Sequence, residues 1–124
     1  METLRNKITS FTDLIVWQEG HKLVLLIYQI TRSFPQEEIY CLTNQMRRCA
    51  ISITSNIAEG FSRQGLKEKI QFYYMALGSI TELQNQLLLA RDLRYIGNNQ
   101  FQNLAGQTVV IHKLLNGLIK SLKR

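Results

Sequence analysis

Apolar residues recur at three- and four-residue steps through most of the chain, which is the spacing of one face of an α-helix. Alternation of apolar and polar residues, the signal of a strand, is nearly absent. The pattern breaks at Pro35, between Gly60 and Gly65, and at Gly97. It therefore predicts an all-α chain with four helices, over residues 13–32, 36–62, 66–94 and 100–122.

The helix ends carry recognisable signals. Thr12 or Asp13 is expected to cap the first helix, because a short side-chain oxygen there accepts a hydrogen bond from a free amide. Gly97, Asn98 and Asn99 are expected to end the third helix, since glycine and asparagine tolerate the left-handed conformation.

Long helices with short connections pack as antiparallel neighbours, so the 124 residues are expected to form one domain, an up-down-up-down four-helix bundle. Several apolar residues lie off the stripes that would fill its core, namely Ile15, Leu26, Leu77, Leu88 and Leu89. A second buried surface, most simply a homo-oligomer interface, would account for them. A wide apolar face inside a single bundle is the alternative.

A polar row also runs beside the apolar stripe of the second helix and continues on the third. Its members are Gln45, Arg48, Ser52, Asn56, Glu59, Ser79 and Glu82. In a hairpin centred on Gln64 and Gly65, Arg48 lies level with Glu82. We expect these two residues to form a partly buried ion pair that fixes the register of the helices. A catalytic role is the alternative, but a general base needs a second acid, a histidine or a metal beside it.

Charge points to a partner. Fifteen lysines and arginines oppose nine acids, the formal net charge is +6, and no acid follows Asp92. This excess favours binding to RNA, DNA or an acidic protein surface, although an ordinary solvated basic surface is the alternative. The candidate nucleic-acid contacts are Arg47, Arg63, Lys67, Lys69, Lys113, Lys120, Lys123 and Arg124. The cations after Gly60 and those near the C-terminus are expected to form separate clusters at opposite ends of the bundle.

No motif for catalysis or metal binding stands out. His21 and His112 are isolated, with no cysteine or carboxylate at ligand spacing. Residues 60–67 differ from a phosphate-binding loop because lysine does not directly follow the second glycine and no strand precedes it. We therefore expect no enzymatic activity, no cofactor and no small-molecule substrate.

The cysteines bear on the compartment. Cys41 and Cys49 lie about 12 Å apart along one helix, too far for a disulfide bond. Free thiols are typical of a reducing compartment. With no signal peptide and no apolar run near the ~20 residues of a membrane span, the sequence predicts a cytoplasmic protein without membrane contact.

Six stretches of the chain resemble a known family. They are Phe11-x-Asp13-Leu14-x-Val16-Trp17-Gln18, Phe34-Pro35-x-Glu37 with Leu42, Gln45-x-Arg47-Arg48, Ser52-Ile53, Asn56-Ile57-Ala58-Glu59-Gly60, and Ala76-x-Gly78-Ser79-Ile80-x-Glu82-Leu83. They resemble the four-helix-bundle proteins encoded in intervening sequences of bacterial 23S rRNA genes. The chain is also similar to the accessory protein of diversity-generating retroelements, a basic barrel that binds nucleic acid and a reverse transcriptase. The resemblance implies assembly as a homopentameric barrel.

Together, these observations predict a non-enzymatic, oligomeric basic module that binds RNA or a ribonucleoprotein through repeated arginines and lysines. A protein-interaction scaffold that touches no nucleic acid is the alternative. The scaffold would be favoured if the basic side chains were scattered or paired within the oligomer.

Overall fold

The computed structural model describes residues 7–124, which form four α-helices and no strand, as predicted. The helices are α1 (Ile15–Thr31), α2 (Leu42–Ser62), α3 (Leu66–Asp92) and α4 (Asn98–Leu122). Two short 3₁₀ turns, Phe11–Asp13 and Gln36–Glu38, precede α1 and α2. Within residues 7–124, no helix combines the length and the hydrophobicity that a membrane span requires.

Ser10, and not Thr12 or Asp13, caps the first helical turn. Its hydroxyl accepts a hydrogen bond of 3.2 Å from the amide of Thr12, and the carboxylate of Asp13 accepts from the amides of Thr9 and Ser10, each at 3.0 Å. These backbone donors lower the pKa of Asp13. The backbone is then extended at Leu14, so α1 begins at Ile15 instead of residue 13.

The second helix begins later than the sequence predicts. After the turn Gln36–Glu38, the backbone of Cys41 (φ −120°, ψ −108°) lies outside the helical region, and α2 starts at Leu42. Glu38 stabilises this break from both sides. One of its carboxylate oxygens accepts from the amide of Leu42 at 3.2 Å, and the other accepts from the hydroxyl of Tyr95 at 2.8 Å.

The third helix ends at Asp92, and the residue in the left-handed conformation is Arg94 (φ 65°). The amide of Tyr95 donates to the carbonyl of Ala90 at 2.9 Å, which closes the helix in a Schellman arrangement. Gly97 has φ −81° and precedes α4 as its N-cap, so the predicted left-handed turn at Gly97 to Asn99 is wrong. Asn98 and Asn99 belong to α4.

Each helix runs close to two neighbours, and within residues 7–124 the backbones of the diagonal pairs α1–α3 and α2–α4 do not approach each other closely. Each seam is crossed by at least one side-chain hydrogen bond, for example Arg47 to Thr31, Ser52 to Ser79, Gln84 to Thr108, and Gln107 to Glu19. With the short connections, these contacts define an up-down-up-down four-helix bundle.

The core is continuous and apolar. Residues from all four helices are buried at the predicted spacing; the largest include Leu23, Ile27, Met46, Ile53, Ile57, Tyr73, Ile80, Leu83, Leu87, Ile111 and Leu115. Close approach of α2 and α3 depends on Gly60, because a Cβ added there would lie 2.7 Å from the ring of Tyr73.

Candidate nucleic-acid interface

Three members of the predicted polar row meet in the seam between α2 and α3. The hydroxyls of Ser52 and Ser79 are 2.9 Å apart, and the amide of Asn56 donates to the hydroxyl of Ser52 at 3.1 Å. The thiol of Cys49 donates to the carbonyl of Ser79 at 3.0 Å. These contacts are internal to the subunit and hold the two helices together.

The ion pair predicted between Arg48 and Glu82 is not formed within the chain. Both side chains are exposed, and none of the salt bridges among residues 7–124 joins them. The physical reason is register, because Ser52 lies opposite Ser79 and not opposite residues 77–78.

The remaining two members of the row also lie outside the seam. Gln45 is exposed, and its side chain makes no hydrogen bond within the described part of the chain. Glu59 is exposed and pairs with Arg63, one turn later on the same helix, at 3.0 Å.

An apolar strip flanks Glu82 on the surface beside α2. Burial, with the nearby Glu82 carboxylate as the second cause, raises the pKa of the Cys49 thiol to about 12, which places Glu82 close to α2. Met75 and Leu89 lie seven residues to either side of Glu82, so they share its side of α3. Met75 is 50% exposed and Leu89 is 48% exposed. We refer to this surface, with Arg48, Met75, Glu82 and Leu89, as the α2/α3 face.

A second apolar surface lies on the opposite side of the bundle, between α1 and α4. Leu26 lines a groove of about 300 Å³ with Asn103, and Ile15 lines a larger groove with Leu114. Leu26 is 40% exposed and Ile15 is 63% exposed. We refer to this surface, with Ile15, Leu26, Asn103 and Leu114, as the α1/α4 face.

Arg47, unlike the other candidate nucleic-acid contacts, packs between two helices of the bundle. Its Nε donates to the hydroxyl of Thr31 at 2.9 Å, and its guanidinium carbon lies 4.6 Å from the ring centroid of Tyr28. The side chain is half-buried, so the structure places Arg47 in the packing between α1 and α2.

The cations of the α2–α3 turn and those of the C-terminus lie at the same end of the bundle. Nζ of Lys123 donates to the hydroxyl of Tyr74, in the first half of α3, at 2.6 Å. The expectation of opposite ends is therefore wrong. The second and fourth helices of such a bundle run in the same direction, so their C-termini coincide. We refer to this end as the basic end, with Arg63, Lys67, Lys69, Lys120, Lys123 and Arg124.

Some cations of the basic end already have partners within the subunit. Arg63 pairs with Glu59, and its guanidinium carbon lies 4.7 Å from the ring centroid of Phe72. Nζ of Lys69 donates to the carbonyl of Phe61 at 2.7 Å, which satisfies one of the free carbonyls at the end of α2. These contacts fix the turn between α2 and α3.

Other cations have no partner among residues 7–124. Lys67, Lys120 and Arg124 are exposed, and their side chains make no salt bridge or hydrogen bond there. Lys113 is equally free and lies seven residues before Lys120, hence on the same outward side of α4. These four side chains are available to an external anion.

The opposite end of the bundle is more nearly balanced in charge. Arg91 pairs with Asp92 at 2.9 Å, and Glu37 and Glu38 lie in the 3₁₀ turn that precedes α2. Arg32 and Arg94 are exposed there. Most of the positive excess is therefore concentrated at the basic end.

The two histidines make local contacts. His21 stacks on Trp17, with ring centroids 4.8 Å apart, and the side-chain amide nitrogen of Asn116 lies 3.1 Å from Nδ1 of His112. In the described part of the chain, no three His, Cys, Asp or Glu side chains converge as a metal site would require.

Tyr74 was not identified by the sequence reasoning. It is 47% exposed and lies at the basic end beside Lys123. The available signal was its position seven residues after Lys67, which places both on the outward side of α3.

The fold and the distribution of charge define a small basic four-helix-bundle protein. The profile of the 23S rRNA-intervening sequence protein family matches residues 12–117. The chain therefore belongs to that family, and the resemblance drawn from its motifs is confirmed.

A solved structure gives the same fold. It is the crystal structure of a protein of unknown function from the S23 ribosomal protein family of Bacteroides thetaiotaomicron, with a TM-score of 0.80 and 24% sequence identity. The match covers 86% of this chain and 96% of the other. No curated protein matches the chain.

Proposed function

We propose that this protein is a non-enzymatic module that binds RNA, free or in a ribonucleoprotein, through its basic end, and that it acts as a homo-oligomer. The contact between Lys123 and Tyr74 is the observation that carries the proposal. It brings the cations of two chain segments to one end, where separate clusters had been expected. The name of the family refers to 23S rRNA and makes RNA the first partner to test.

The available cations give the proposal its physical basis. Lys67, Lys113, Lys120 and Arg124 are exposed and free of salt bridges within residues 7–124. Each phosphate that such a side chain neutralises releases condensed counterions, which is the main source of sequence-independent affinity. Copies of the basic end in an oligomer would multiply that affinity, because later contacts are intramolecular.

Two opposite apolar faces support self-association in a ring. A twofold dimer uses one face of each chain and would leave the other exposed, whereas a closed ring joins two different faces of successive subunits. We propose that the α2/α3 face of one subunit packs on the α1/α4 face of the next, with Arg48 and Glu82 finding partners there. Five subunits is the number that the family resemblance implies.

The proposed compartment is the cytoplasm. Cys41 is exposed and Cys49 is buried, and both are free thiols. An exposed free thiol persists in a reducing compartment and is readily oxidised outside it.

The test is an RNA-binding titration at several salt concentrations, using fluorescence anisotropy and a labelled unstructured RNA. Lys67→Gln combined with Lys120→Gln should weaken binding and lower the slope of log K against log salt by about 1.4, since each lost phosphate contact removes about 0.7. Arg32→Gln combined with Arg94→Gln removes the same charge from the opposite end and should leave the slope unchanged. Equal effects of the two pairs, or no binding of the wild type at low salt, would overturn the proposal.

A protein-interaction scaffold is the second candidate. It is favoured by Tyr40, which is 87% exposed, and Ile39, which is 47% exposed, both at the end away from the basic end. Two results together would support the scaffold over the RNA-binding module. The wild-type oligomer would not bind RNA at low salt, and it would bind a protein that the Tyr40→Ser variant does not bind.

A further inference from the structure

We propose that Tyr74 is a stacking platform for an unpaired base, so that the basic end selects single-stranded over double-stranded RNA. The inference rests on the proposed function and names the form of RNA that the site fits. Tyr74 lies among the cations of the basic end, and the residue is 47% exposed.

The cations lie on both sides of this ring. Lys67 is seven residues earlier on the same side of α3, which places it about 10 Å away along the helix axis. Across the seam, Lys123 bonds to the hydroxyl of Tyr74, and Lys120 lies one turn before Lys123 on α4. A backbone crossing from α3 to α4 can therefore meet cations before and after the ring.

The position of Lys123 leaves the ring faces uncovered. Its Nζ is 2.6 Å from the hydroxyl oxygen and 5.2 Å from the ring centroid. A tyrosine oxygen lies directly outward from the centroid, and 5.2 Å is close to the largest separation that a 2.6 Å bond to this oxygen permits. Lys123 therefore lies beyond the hydroxyl edge of the ring and not over a face, so it covers neither face.

The other aromatic residues near these cations differ from Tyr74. Phe61 and Phe72 are only partly exposed, and Lys69 and Arg63 lie 5.4 Å and 4.7 Å from their respective ring centroids. Tyr73 is 2% exposed and belongs to the core. Among the aromatic residues beside these cations in the described chain, Tyr74 is thus the one that is exposed.

The chemistry selects the form of RNA. An aromatic side chain beside a cationic groove stacks with unpaired bases of any sequence, because every base has a π-face. In a duplex the base faces are occupied by neighbouring pairs, and recognition depends on helix shape, phosphates and 2′-hydroxyls. A duplex can therefore use the cations of the basic end but not Tyr74.

The experiment compares two variants on two RNAs of equal length. Tyr74→Leu should bind an unstructured single strand about tenfold more weakly than the wild type and bind a duplex equally well, with an unchanged salt slope. Tyr74→Phe keeps the ring and should retain most of the single-strand affinity. The affinity of the wild-type protein should also fall about tenfold when the single strand is replaced by an abasic strand of the same backbone charge. This comparison needs no variant.

Each result decides the question. Three results would overturn the stacking role. The first is equal affinity of Tyr74→Leu and wild type for the single strand, and the second is equal affinity of the wild type for abasic and base-containing strands. The third is a higher affinity of the wild type for the duplex than for the single strand. In all three cases, loss of binding in the Lys67→Gln, Lys120→Gln protein would leave the proposed function intact. Absence of wild-type binding to every RNA would overturn both.

Discussion

Ser52 on α2 and Ser79 on α3 share a hydrogen bond of 2.9 Å across the seam between the two helices. Ser79→Ala removes this bond and leaves the half-buried hydroxyl of Ser52 with the bond from Asn56 alone, so it is expected to lower the free energy of unfolding by about 1 kcal/mol. The double variant Ser52→Ala, Ser79→Ala should cost less than the sum of the single changes, because both remove the same bond. Urea unfolding measures all three.

Ser55 provides the matched control for these substitutions. It is exposed on α2, and Ser55→Ala reports the change in helix propensity without a cross-helix bond. Its effect should stay within about 0.5 kcal/mol. If the changes in the free energy of unfolding of the Ser52→Ala and Ser79→Ala variants add up to that of the double variant, the hydrogen bond contributes no coupling.

Gly60 is expected to resist substitution although it lies in a helix. A methyl group there would lie 2.7 Å from Cε1 of Tyr73 and 3.1 Å from Cβ of Phe72. The steric cost of about 1–3 kcal/mol should exceed the gain in helix propensity of about 1 kcal/mol or less. Gly60→Ala should therefore lower the midpoint of thermal unfolding.

Gly106 lies inside α4, and apart from the adjoining backbone of α4 itself no atom lies within 4 Å of an added Cβ. Gly106→Ala should raise the free energy of unfolding by about 0.5–1 kcal/mol, since only the propensity term acts. If both glycine variants shifted stability in the same direction, close packing of α2 on α3 at Gly60 would be refuted.

Cys49 is expected to make the fold sensitive to alkaline pH. Burial, followed by the nearby Glu82 carboxylate, raises the pKa of its thiol from the ordinary value of 9.0 to about 12. The folded chain thus keeps a proton that the unfolded chain releases. The resulting stability is complete below the unfolded pKa and is lost as pH rises towards 12. Urea unfolding between about pH 8 and 11 should show this fall, and Cys49→Ala should make it shallower.

The exposed thiol of Cys41 supplies an internal comparison. At pH 8 a thiol reagent should modify Cys41 rapidly and Cys49 only after unfolding, because the reactive species is the thiolate. Equal rates of modification in the folded protein would contradict the burial of Cys49. An unchanged pH slope in Cys49→Ala would contradict its raised pKa.

Ring assembly can be tested by cross-linking between different faces. In a Cys41→Ser background, Leu89→Cys marks the α2/α3 face and Leu26→Cys marks the α1/α4 face. A short bis-maleimide should join subunits in the mixture of the two variants and leave each variant alone mostly uncrosslinked, because a ring places unlike faces together. Mass measurement in solution gives the number of subunits.

Two results would count against the ring. Cross-linking of Leu89→Cys alone would indicate a twofold contact between identical faces. If the wild-type protein has the mass of a monomer at all working concentrations, it does not self-associate and this part of the proposal is wrong.

The existence of the helices followed from local patterning, but several of their boundaries did not. The stripe through Leu42, Met46 and Ile53 identified α2, because the spacing of apolar residues reflects burial directly. The break at Cys41 depends on Glu38, whose second oxygen accepts a hydrogen bond from Tyr95 in the distant α3–α4 connection. No local signal contains that contact.

The errors at the site have two physical origins. The predicted pairing of Arg48 with Glu82 needed the helix register to within about one residue, and the register depends on packing at Ser79 and Gly60 rather than on counting from the turn. The separation of Lys123 from the α2–α3 turn was an error of topology alone. Helix direction was already implied by the predicted bundle, so this relationship could have been derived without a structure.

Concentration of free cations at the basic end gives the molecule an electric dipole directed along the bundle. A polyanion exerts a torque on such a molecule at a distance, so the molecule turns its Lys120 end forward before any contact forms. If subunits stand parallel in a ring, their dipoles add along its axis, and the assembly presents one attractive rim and one nearly neutral rim. Orientation would then be decided during approach, which leaves the far rim with Tyr40 open to a different partner.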